Sequence, residues 1–197
     1  IIDSSKLEIG YMDIKFENSN IVYLVEEVVL SIVDIAKDKN IEIIFNTEEE
    51  EIITAIDEEK IVRVILILLS NSIKFSKEKG DICVEMRRED EEVVIKVTDN
   101  GIGINEDMKE KIFDKFKRVQ SVSNLNVDHE GSGLGLYIAK GFIELHNGSI
   151  SVVSEVEKGS TFIITIPIVI IKNDLHNINH MDEDELNRII KIELSDL

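Results

Sequence analysis

Hydrophobic residues in this chain recur with helical spacing in three segments. The clearest is residues 21–36, whose valines and isoleucines repeat every three or four positions after Asn20, a good helix cap. A second helix is predicted from Asp57, another good cap, to about Phe75, and it is apolar on nearly every face, which is typical of a buried helix. A third helix is predicted over residues 134–146.

Between these helices the chain holds short runs in which apolar residues cluster or alternate with polar ones, as they do in strands. A short helix is also expected around residues 108–116. This order of elements predicts an α+β fold, a two-layer α/β sandwich in which one mixed, mostly antiparallel sheet carries its helices on one face. The predicted strands are residues 11–17, 41–45, 52–56, 82–87, 93–98, 149–154 and 161–167.

The composition limits what such a domain can do. The 197 residues include 22 basic and 40 acidic side chains, a net charge of −18, so the surface repels nucleic-acid backbones and we predict no nucleic-acid partner. A single cysteine, Cys83, cannot form an internal disulfide and fits a reducing, cytoplasmic location. The longest apolar run, residues 64–69, is much shorter than the ~20 residues of a membrane-spanning helix, so we expect no direct membrane contact.

One polar residue, Asn71, interrupts the apolar second helix. At 3.6 residues per turn it shares a stripe with Ile67, Lys74 and Phe75. A buried amide costs free energy unless it is hydrogen-bonded or bound to a cation. Asn71 therefore either bonds to a neighbouring carbonyl or serves as an oxygen ligand for Mg²⁺, which takes few protein ligands and completes its coordination with phosphates and water.

A second candidate group is Asp99, which ends a predicted strand directly before a turn that contains Gly101 and Gly103. Glycines let the backbone turn sharply and approach a ligand closely. The carboxylate could accept a hydrogen bond from an amino group, such as the exocyclic amine of adenine. Asp-Gly and Asn-Gly turns are common, so this motif alone does not define a site.

A glycine cluster, Gly131, Gly133 and Gly135, leads directly into the third predicted helix. Glycine-rich backbone at a helix N-terminus offers unpaired N–H groups and the positive end of the helix dipole to a phosphate, and a flexible hinge is the alternative. No strand immediately precedes the cluster and no Gly-Lys-Ser/Thr follows it, so it is neither a dinucleotide fingerprint nor a Walker loop. The polar stretch before it, residues 117–130, is long for a connection and typical of a lid or of disorder.

Taken in order, five segments resemble the successive N, first glycine, F, second glycine and third glycine boxes of sensor histidine kinases. The resemblance covers about residues 11–167 and implies the catalytic ATP-binding domain, whose Bergerat fold is shared with the gyrase, mismatch-repair and heat-shock ATPases. The five segments are Asn71, the Asp99 turn, residues 112–116, the Gly131 cluster and residues 158–162.

The resemblance also implies a role for each matching residue. Asn71 would hold Mg²⁺, Lys74 would contact phosphate and Asp99 would bind the adenine amine. Residues 117–130 would form a lid over ATP. Arg118 would reach the γ-phosphate and, with Lys74, serve catalysis, because a guanidinium carries permanent charge and forked donors. The implied ATP-binding set is Asn71, Lys74, Phe75, Asp99, Gly101, Gly103, Ile104, Phe116, Arg118, Gly131, Ser132, Gly133, Leu134, Gly135, Leu136 and Thr161.

For the parent protein, the resemblance implies transfer of the ATP γ-phosphate to a histidine on its own dimerisation helix and relay to an aspartate of a response regulator. Residues 1–10 resemble the end of that dimerisation and phosphoacceptor helix, residues 11–170 form the catalytic domain and residues 171–197 an acidic C-terminal tail. We expect the acceptor histidine upstream, because His129 falls in the predicted lid. The isolated domain is expected to be a monomer and the full-length protein a homodimer, which an upstream segment could anchor in the inner membrane.

One position departs from the family pattern, because Ile67 stands where the N box usually has a second asparagine. In the ATPase branch of the fold a glutamate there activates water. Isoleucine cannot act as a base, so we expect slow hydrolysis. The departure leaves open a degenerate domain that binds nucleotide and switches partners without transferring phosphate. A serine-directed kinase of the same fold, such as an anti-sigma factor, is a third hypothesis, which the helix-like start of the chain disfavours.

Overall fold

The computed structural model describes residues 12–77, 79–117, 132–172 and 180–195 as a layer of helices on a layer of strands. The strands are β1 (Glu17–Asn20), β2 (Glu42–Thr47), β3 (Ile53–Ile56), β4 (Asp81–Glu89), β5 (Glu92–Asp99), β6 (Ser149–Glu155) and β7 (Gly159–Pro167). The helices are α1 (Ile21–Asp38), α2 (Glu58–Phe75), α3 (Gly135–Leu145) and α4 (Glu183–Glu193). In this part of the chain one sheet has the order β2–β4–β5–β7–β6, and β1 and β3 form a separate ladder.

The five-stranded sheet is mixed, as predicted, because β2 runs parallel to β4 while the other neighbouring pairs are antiparallel. Residues alternate between buried and more exposed along β4, β5 and β7, so each strand turns one face to the helices. In the β5–β7 pair, Asp99 lies opposite Ser160, and Thr98 lies opposite Thr161. Asp99 and Ser160 therefore lie on the helix-covered face, and the two threonines lie on the open face.

The central helix of the helical layer is α2, which packs against α1, α3 and α4 and is therefore apolar on nearly every face. Asp57 caps α2, because its carboxylate accepts a hydrogen bond from the Lys60 N–H at 3.2 Å. Asn20 caps α1 in the same way, accepting from the Val22 N–H at 3.1 Å. Helices α1, α2 and α3 all begin and end within two residues of their predicted bounds.

The first strand lies later in the chain than predicted. Residues 11–17 alternate in polarity, but β1 forms only where the chain meets β3, at Glu17–Asn20. Just before β1, the Lys15 N–H donates to the Asp57 carboxylate at 2.9 Å instead of joining a strand ladder. A helix cap has therefore taken the backbone donor that the predicted strand required.

The prediction of a helix around residues 108–116 was wrong. The structure has two short 3₁₀ turns there, Glu106–Met108 and Lys111–Phe113. The buried apolar residues, Ile112 and Phe113, are adjacent in the chain, whereas a stable amphipathic helix needs them three or four positions apart. One tight turn is enough to bury both side chains.

The chain beyond β7 returns to the beginning of the domain. Residues 168–171 run beside β3, where the Ala55 N–H donates to the Val169 carbonyl oxygen at 2.7 Å. The buried Asn18 side chain of β1 donates to the Ile171 carbonyl oxygen at 3.0 Å and accepts from the Ile171 N–H at 2.9 Å. The strand that enters the domain and the segment that leaves it are thus held by the same hydrogen bonds.

Part of the predicted acidic tail, residues 171–197, is folded as α4. This helix buries Leu186 and Ile189 and packs on α2, where Glu193 forms an ion pair with Arg63 at 2.7 Å. The tail segment therefore contributes to the core next to the central helix. Across the described residues, the helices all fall short of the length and hydropathy needed to cross a bilayer.

Candidate functional site

The Asp99 carboxylate ends β5 on the helix-covered face of the sheet and is only 6% exposed. Its Oδ1 accepts hydrogen bonds from the backbone N–H groups of Gly101 at 2.9 Å and Ser160 at 3.2 Å. Its Oδ2 faces the hydroxyl of Ser72, on α2, at 3.5 Å. Burial raises the pKa of Asp99 above its ordinary value, and the three hydrogen bonds partly offset that rise. Among the described residues, Oδ1 therefore accepts two backbone hydrogen bonds, and Oδ2 accepts one long hydrogen bond.

Three backbone segments meet around Asp99: the end of α2, the turn after β5 and the start of β7. At the end of α2 the Phe75 carbonyl oxygen accepts from the Ile102 N–H at 3.1 Å, and Gly101 lies so close that any side chain there would overlap this carbonyl. At the start of β7, Gly159 has a φ of +102° and lies directly against the Asp99 backbone. Glycine permits the predicted close approach, and the partner is the protein's own backbone.

A buried serine connects the same turn to the β6–β7 hairpin. Beyond Gly103, which has a φ of +70°, the Ile104 N–H donates to the Ser154 hydroxyl at 2.8 Å. Ser154 in turn donates to the Gly159 carbonyl oxygen at 2.7 Å. Ile104, a member of the implied ATP-binding set, is 8% exposed and belongs to the hydrophobic core.

Helix α2 carries the two polar residues of the stripe predicted from the sequence. Asn71 and Lys74 are half-buried, and within the described residues their side chains form no hydrogen bond or ion pair. The alternative in which Asn71 bonds to a neighbouring carbonyl is therefore not seen in that part of the chain. No three His, Cys, Asp or Glu side chains group together among the described residues. A lone amide oxygen fits a Mg²⁺ ion that takes most of its ligands from phosphates and water.

The last glycine of the cluster, Gly135, is the first residue of α3, and Gly133 lies two residues before it. Gly131 and Arg118 lie outside the described residues, as does the predicted lid beyond residue 117. Leu134 precedes the helix and provides no side-chain cap, while the Ser132 hydroxyl accepts from the Leu134 N–H at 3.3 Å. The first N–H groups of α3 and the positive end of its dipole therefore suit a phosphate.

At this end of the site, α2 and α3 contact each other through Ile67 and Gly135. A methyl group on Gly135 would lie 3.2 Å from Cγ2 of Ile67, which is itself 6% exposed. Ile67, the residue that departs from the family pattern, thus lies in an apolar environment beside Gly135. Leu134 is buried in the hydrophobic core, and Leu136 is partly buried and packs against it.

Phe116 lies beside the glycine cluster with its ring 65% exposed. Its backbone N–H donates to the Gly133 carbonyl oxygen at 3.0 Å, and its φ of +59° is unusual for an aromatic residue. The segment that resembles the F box therefore meets the second glycine box through backbone atoms.

Which residues contact Asp99 could not be predicted from the sequence, as Thr161, Ser160 and Ser72 show. The Thr161 hydroxyl lies 3.1 Å from the Thr98 hydroxyl on the open face of the sheet, away from Asp99. Ser160 is the β7 residue that reaches Asp99, because strand register decides which neighbour faces the helices. Ser72 is 1% exposed and follows Asn71 in an otherwise apolar helix, which was the only sequence signal for it.

Comparison with known proteins places the chain among ATPase domains. A family model described as "Histidine kinase-, DNA gyrase B-, and HSP90-like ATPase" matches residues 56–170, which run from the last residue of β3 to three residues beyond the end of β7. The chain is also 33% identical over 172 residues to histidine kinase P4 of Formosa agariphila. That alignment covers 85% of this chain and only 12% of the relative's length.

Solved structures give the same result for the fold. The catalytic domain of histidine kinase ThkA superposes with a TM-score of 0.69 at 29% identity, covering 79% of this chain and 99% of that domain. Histidine kinase ThkA in complex with response regulator protein TrrA superposes with a TM-score of 0.67 at 25% identity, covering 85% of this chain and 47% of the kinase. The predicted two-layer α+β fold is confirmed.

Proposed function

The chain belongs to the histidine kinase-, DNA gyrase B- and HSP90-like ATPase family, as its resemblance to sensor histidine kinases predicts, and we propose that it binds ATP and donates the γ-phosphate to a histidine. The acceptor histidine would lie on a dimerisation domain, and an aspartate of a response regulator would then take the phosphoryl group. ThkA, a relative solved with a response regulator, supports this choice of partner.

The observation that carries the proposal is that α2 contacts both the Asp99 carboxylate and the N-terminus of α3. Ser72 of α2 faces the Asp99 carboxylate, and Ile67 of α2 contacts Gly135 at the N-terminus of α3. Five residues separate Ile67 from Ser72, which is about 7.5 Å along a helix axis. The Asp99 carboxylate, which can accept from an amine, and the N-terminus of α3, which can bind phosphates, therefore lie near each other along α2. A nucleoside triphosphate requires such a pair of groups.

On α2, Asn71 lies between Ile67 and Ser72 and would hold Mg²⁺, and Lys74, two residues beyond Ser72, would contact phosphate. Mg²⁺, when bound, neutralises phosphate charge and favours phosphoryl transfer. Arg118, outside the described residues, would supply further charge at the γ-phosphate. The protein's own part is positioning and electrostatic stabilisation, with no covalent step on the domain.

Ile67 separates this proposal from ATP hydrolysis. Its buried hydrocarbon lies beside the first residue of α3 and cannot take a proton from water. Transfer to an imidazole needs no such base, because the imidazole is itself nucleophilic. We therefore expect slow turnover with water and transfer only when an acceptor domain is present.

Among the described histidines, His146 is not placed to accept a phosphoryl group. His146 is buried, with its Nε2 accepting from the Asp57 N–H at 3.0 Å and its Nδ1 donating to the Phe142 carbonyl oxygen at 2.7 Å. Both ring nitrogens are thus engaged inside the core. His180 is exposed and packs edge-on against Tyr23, on the helical layer. An acceptor on a separate dimerisation helix agrees with this arrangement.

The test is calorimetric titration with a non-hydrolysable ATP analogue, with and without Mg²⁺. Wild type should bind more tightly with Mg²⁺, and Asn71→Ala should lose most of that Mg²⁺ dependence because the amide oxygen is gone. Asn187→Ala, on the exposed face of α4, is the matched control. Binding that is absent in wild type, or a Mg²⁺ effect unchanged in Asn71→Ala, would refute the assignment.

The buried Ile67 contact also favours a second function, a domain that binds nucleotide and switches partners without transferring phosphate. Labelled ATP mixed with a dimerisation domain distinguishes the two, because only the kinase incorporates label. Acid treatment of the product adds a further distinction. Loss of label in acid indicates phosphohistidine, whereas retention indicates the serine-directed kinase.

A further inference from the structure

Helix α4 is a part of this domain that the family model does not include, because the matched residues end at 170. It packs on α2, the helix that carries Asn71 and Lys74. Leu186 and Ile189 of α4 are buried in the core, as is Leu194 directly after it. The helix that holds the candidate metal and phosphate residues therefore has an additional helix packed against it.

Arg63 of α2 links α4 to α3. Its Nε donates to Glu193 Oε1 at 2.7 Å, and the two side chains are only 17% and 14% exposed, so water and salt screen this ion pair less than an exposed one. The guanidinium carbon of Arg63 also lies 5.1 Å from the centre of the Phe142 ring, which is fully buried on α3 and attracts the cation to its face. Arg63 thus contacts one residue of α3 and one residue of α4 at the same time.

The contact with Phe142 is one of two contacts that α2 makes with the same face of α3. The other is the close approach of Ile67 to Gly135, the first residue of α3. Phe142 follows Gly135 by seven residues, which is about two turns of helix, and Arg63 and Ile67 are one turn apart on α2. The position of α3 on α2 is therefore set beside its N-terminus and again two turns further on, where α4 supports the contact through Glu193.

We propose that α4 positions the N-terminus of α3 for phosphate binding, with Glu193 and Arg63 as the positioning residues. The inference rests on the proposed ATP binding, and it assigns a function to a helix outside the family model. Without its partner on α4, Arg63 would hold Phe142 less firmly, and α3 would shift on α2. The first N–H groups of α3 would then move relative to the phosphates, and a displacement of about 1 Å is enough to weaken hydrogen bonds that depend on distance and angle.

The groups around Asp99 lie too far from this link to respond in the same way. Ser72, the α2 residue that faces Asp99, is nine residues from Arg63, about 13.5 Å along the helix axis. Loss of the link should therefore weaken the binding of the phosphates and leave the binding of the base and ribose unchanged. A helix that only stabilises the fold would instead change the affinity for both parts of the nucleotide alike, or for neither.

The experiment compares two truncations on α4. Glu193→Ala removes the carboxylate that holds Arg63, and Glu185→Ala, the matched control, removes a carboxylate that pairs with the exposed Arg188. Calorimetry measures the affinity for a non-hydrolysable ATP analogue with Mg²⁺, and NMR titration measures the affinity for adenosine, which has no phosphate. Glu193→Ala should bind the ATP analogue about three- to tenfold more weakly than wild type, as expected of a residue that acts on a site indirectly, and should bind adenosine equally well. Glu185→Ala should match wild type with both ligands.

A double-mutant cycle tests the link itself. If Glu193 acts through Arg63, the variant that carries both Arg63→Leu and Glu193→Ala should bind the ATP analogue no more weakly than Arg63→Leu alone. Urea denaturation shows that each variant is folded during the titrations, and the Glu193→Ala comparison decides the matter if Arg63→Leu does not fold. Equal weakening of the ATP analogue and adenosine by Glu193→Ala, no weakening, or additive losses in the cycle would overturn the inference while leaving ATP binding intact. Failure of wild type to bind the ATP analogue would instead overturn the proposed function, and this inference with it.

Discussion

The part of the site around Asp99, which we propose binds the base (the base end), and the part at the N-terminus of α3, which we propose binds the phosphates (the phosphate end), are built in different ways. At the base end, around Asp99, three backbone segments are joined by short hydrogen bonds, and a buried carboxylate has its partners in the protein. At the phosphate end, the N-terminus of α3 has no side-chain cap, and Asn71 and Lys74 have no partner among the described residues.

From this difference we infer that one end recognises the base and the other binds the charged phosphates. The base end is preorganised, because the protein has already supplied the hydrogen bonds that fix its geometry before any ligand arrives. The phosphate end holds unpaired donors that a triphosphate and its cation would satisfy. Substitutions at the base end should therefore disturb the fold or the choice of base, whereas those at the phosphate end should leave the fold intact.

The largest expected effect comes from a pair of glycine substitutions, one at each end. Gly159→Ala forces a side chain into a φ of +102° and against the Asp99 carbonyl oxygen, so the free energy of unfolding should fall by about 3 kcal/mol. Gly135→Ala would place its methyl group 3.2 Å from Cγ2 of Ile67, which must shift slightly, while alanine favours a helix more than glycine does, so this free energy should change by less than about 1 kcal/mol. Urea denaturation measures both, and equal losses would end the distinction between the two ends.

Asp99→Asn should be the next largest. The amide oxygen can still accept from Gly101 and Ser160, but the amide nitrogen would oppose the amine of the base with a second donor. We expect nucleotide affinity to fall about a hundredfold with the fold retained, a loss typical of a charged hydrogen bond. Calorimetry on Asp99→Asn and on Asp81→Asn, an exposed aspartate of β4, measures the effect. Comparable losses in the two variants would mean that Asp99 has no special role.

The raised pKa of Asp99 gives a third prediction. Because of burial, the folded state holds the Asp99 proton more tightly than the unfolded chain does. In the unfolded chain the pKa of this carboxyl is near 3.8. The extra stability is fully present below about pH 3.8 and is lost as pH rises through the folded pKa. Wild type should therefore lose stability relative to Asp99→Asn as pH rises through that window. Other titrating groups, such as His146, cancel between the two proteins, and parallel urea titrations at several pH values would reveal a flat difference if Asp99 were not responsible.

The smallest effect is expected at Ser76, one turn beyond Ser72 at the end of α2. Its hydroxyl is buried and has no hydrogen-bond partner in the described part of the chain. Ser76→Ala should be neutral or should stabilise the protein by up to about 1 kcal/mol, because it removes an unsatisfied polar atom. Thermal unfolding measures this effect. A clear loss of stability would show that the hydroxyl has a partner that the base end depends on.

Much of the fold followed from local signals in the sequence. Asn20 and Asp57 marked helix starts that the structure confirms, because a cap is a contact between residues two or three positions apart. The buried face of α2 followed from its composition. The Asp99 turn was predicted at the end of a strand, where the structure has it.

The remaining site residues depend on contacts between distant parts of the chain. Ser160, rather than Thr161, reaches Asp99 because of the β5–β7 register, and one residue of slip would reverse that choice. Ser72 becomes informative only once α2 is placed over the end of β5. The roles of Arg118 and Gly131 stay predictions, because both lie outside the described residues.

The two hydrogen bonds between the Asn18 side chain and the Ile171 backbone have a mechanical consequence. The two paths of the chain, inward along β1 and outward after β7, lie side by side at one edge of the folded unit. Force applied to β1 would therefore be transmitted to the segment after β7 through these two hydrogen bonds.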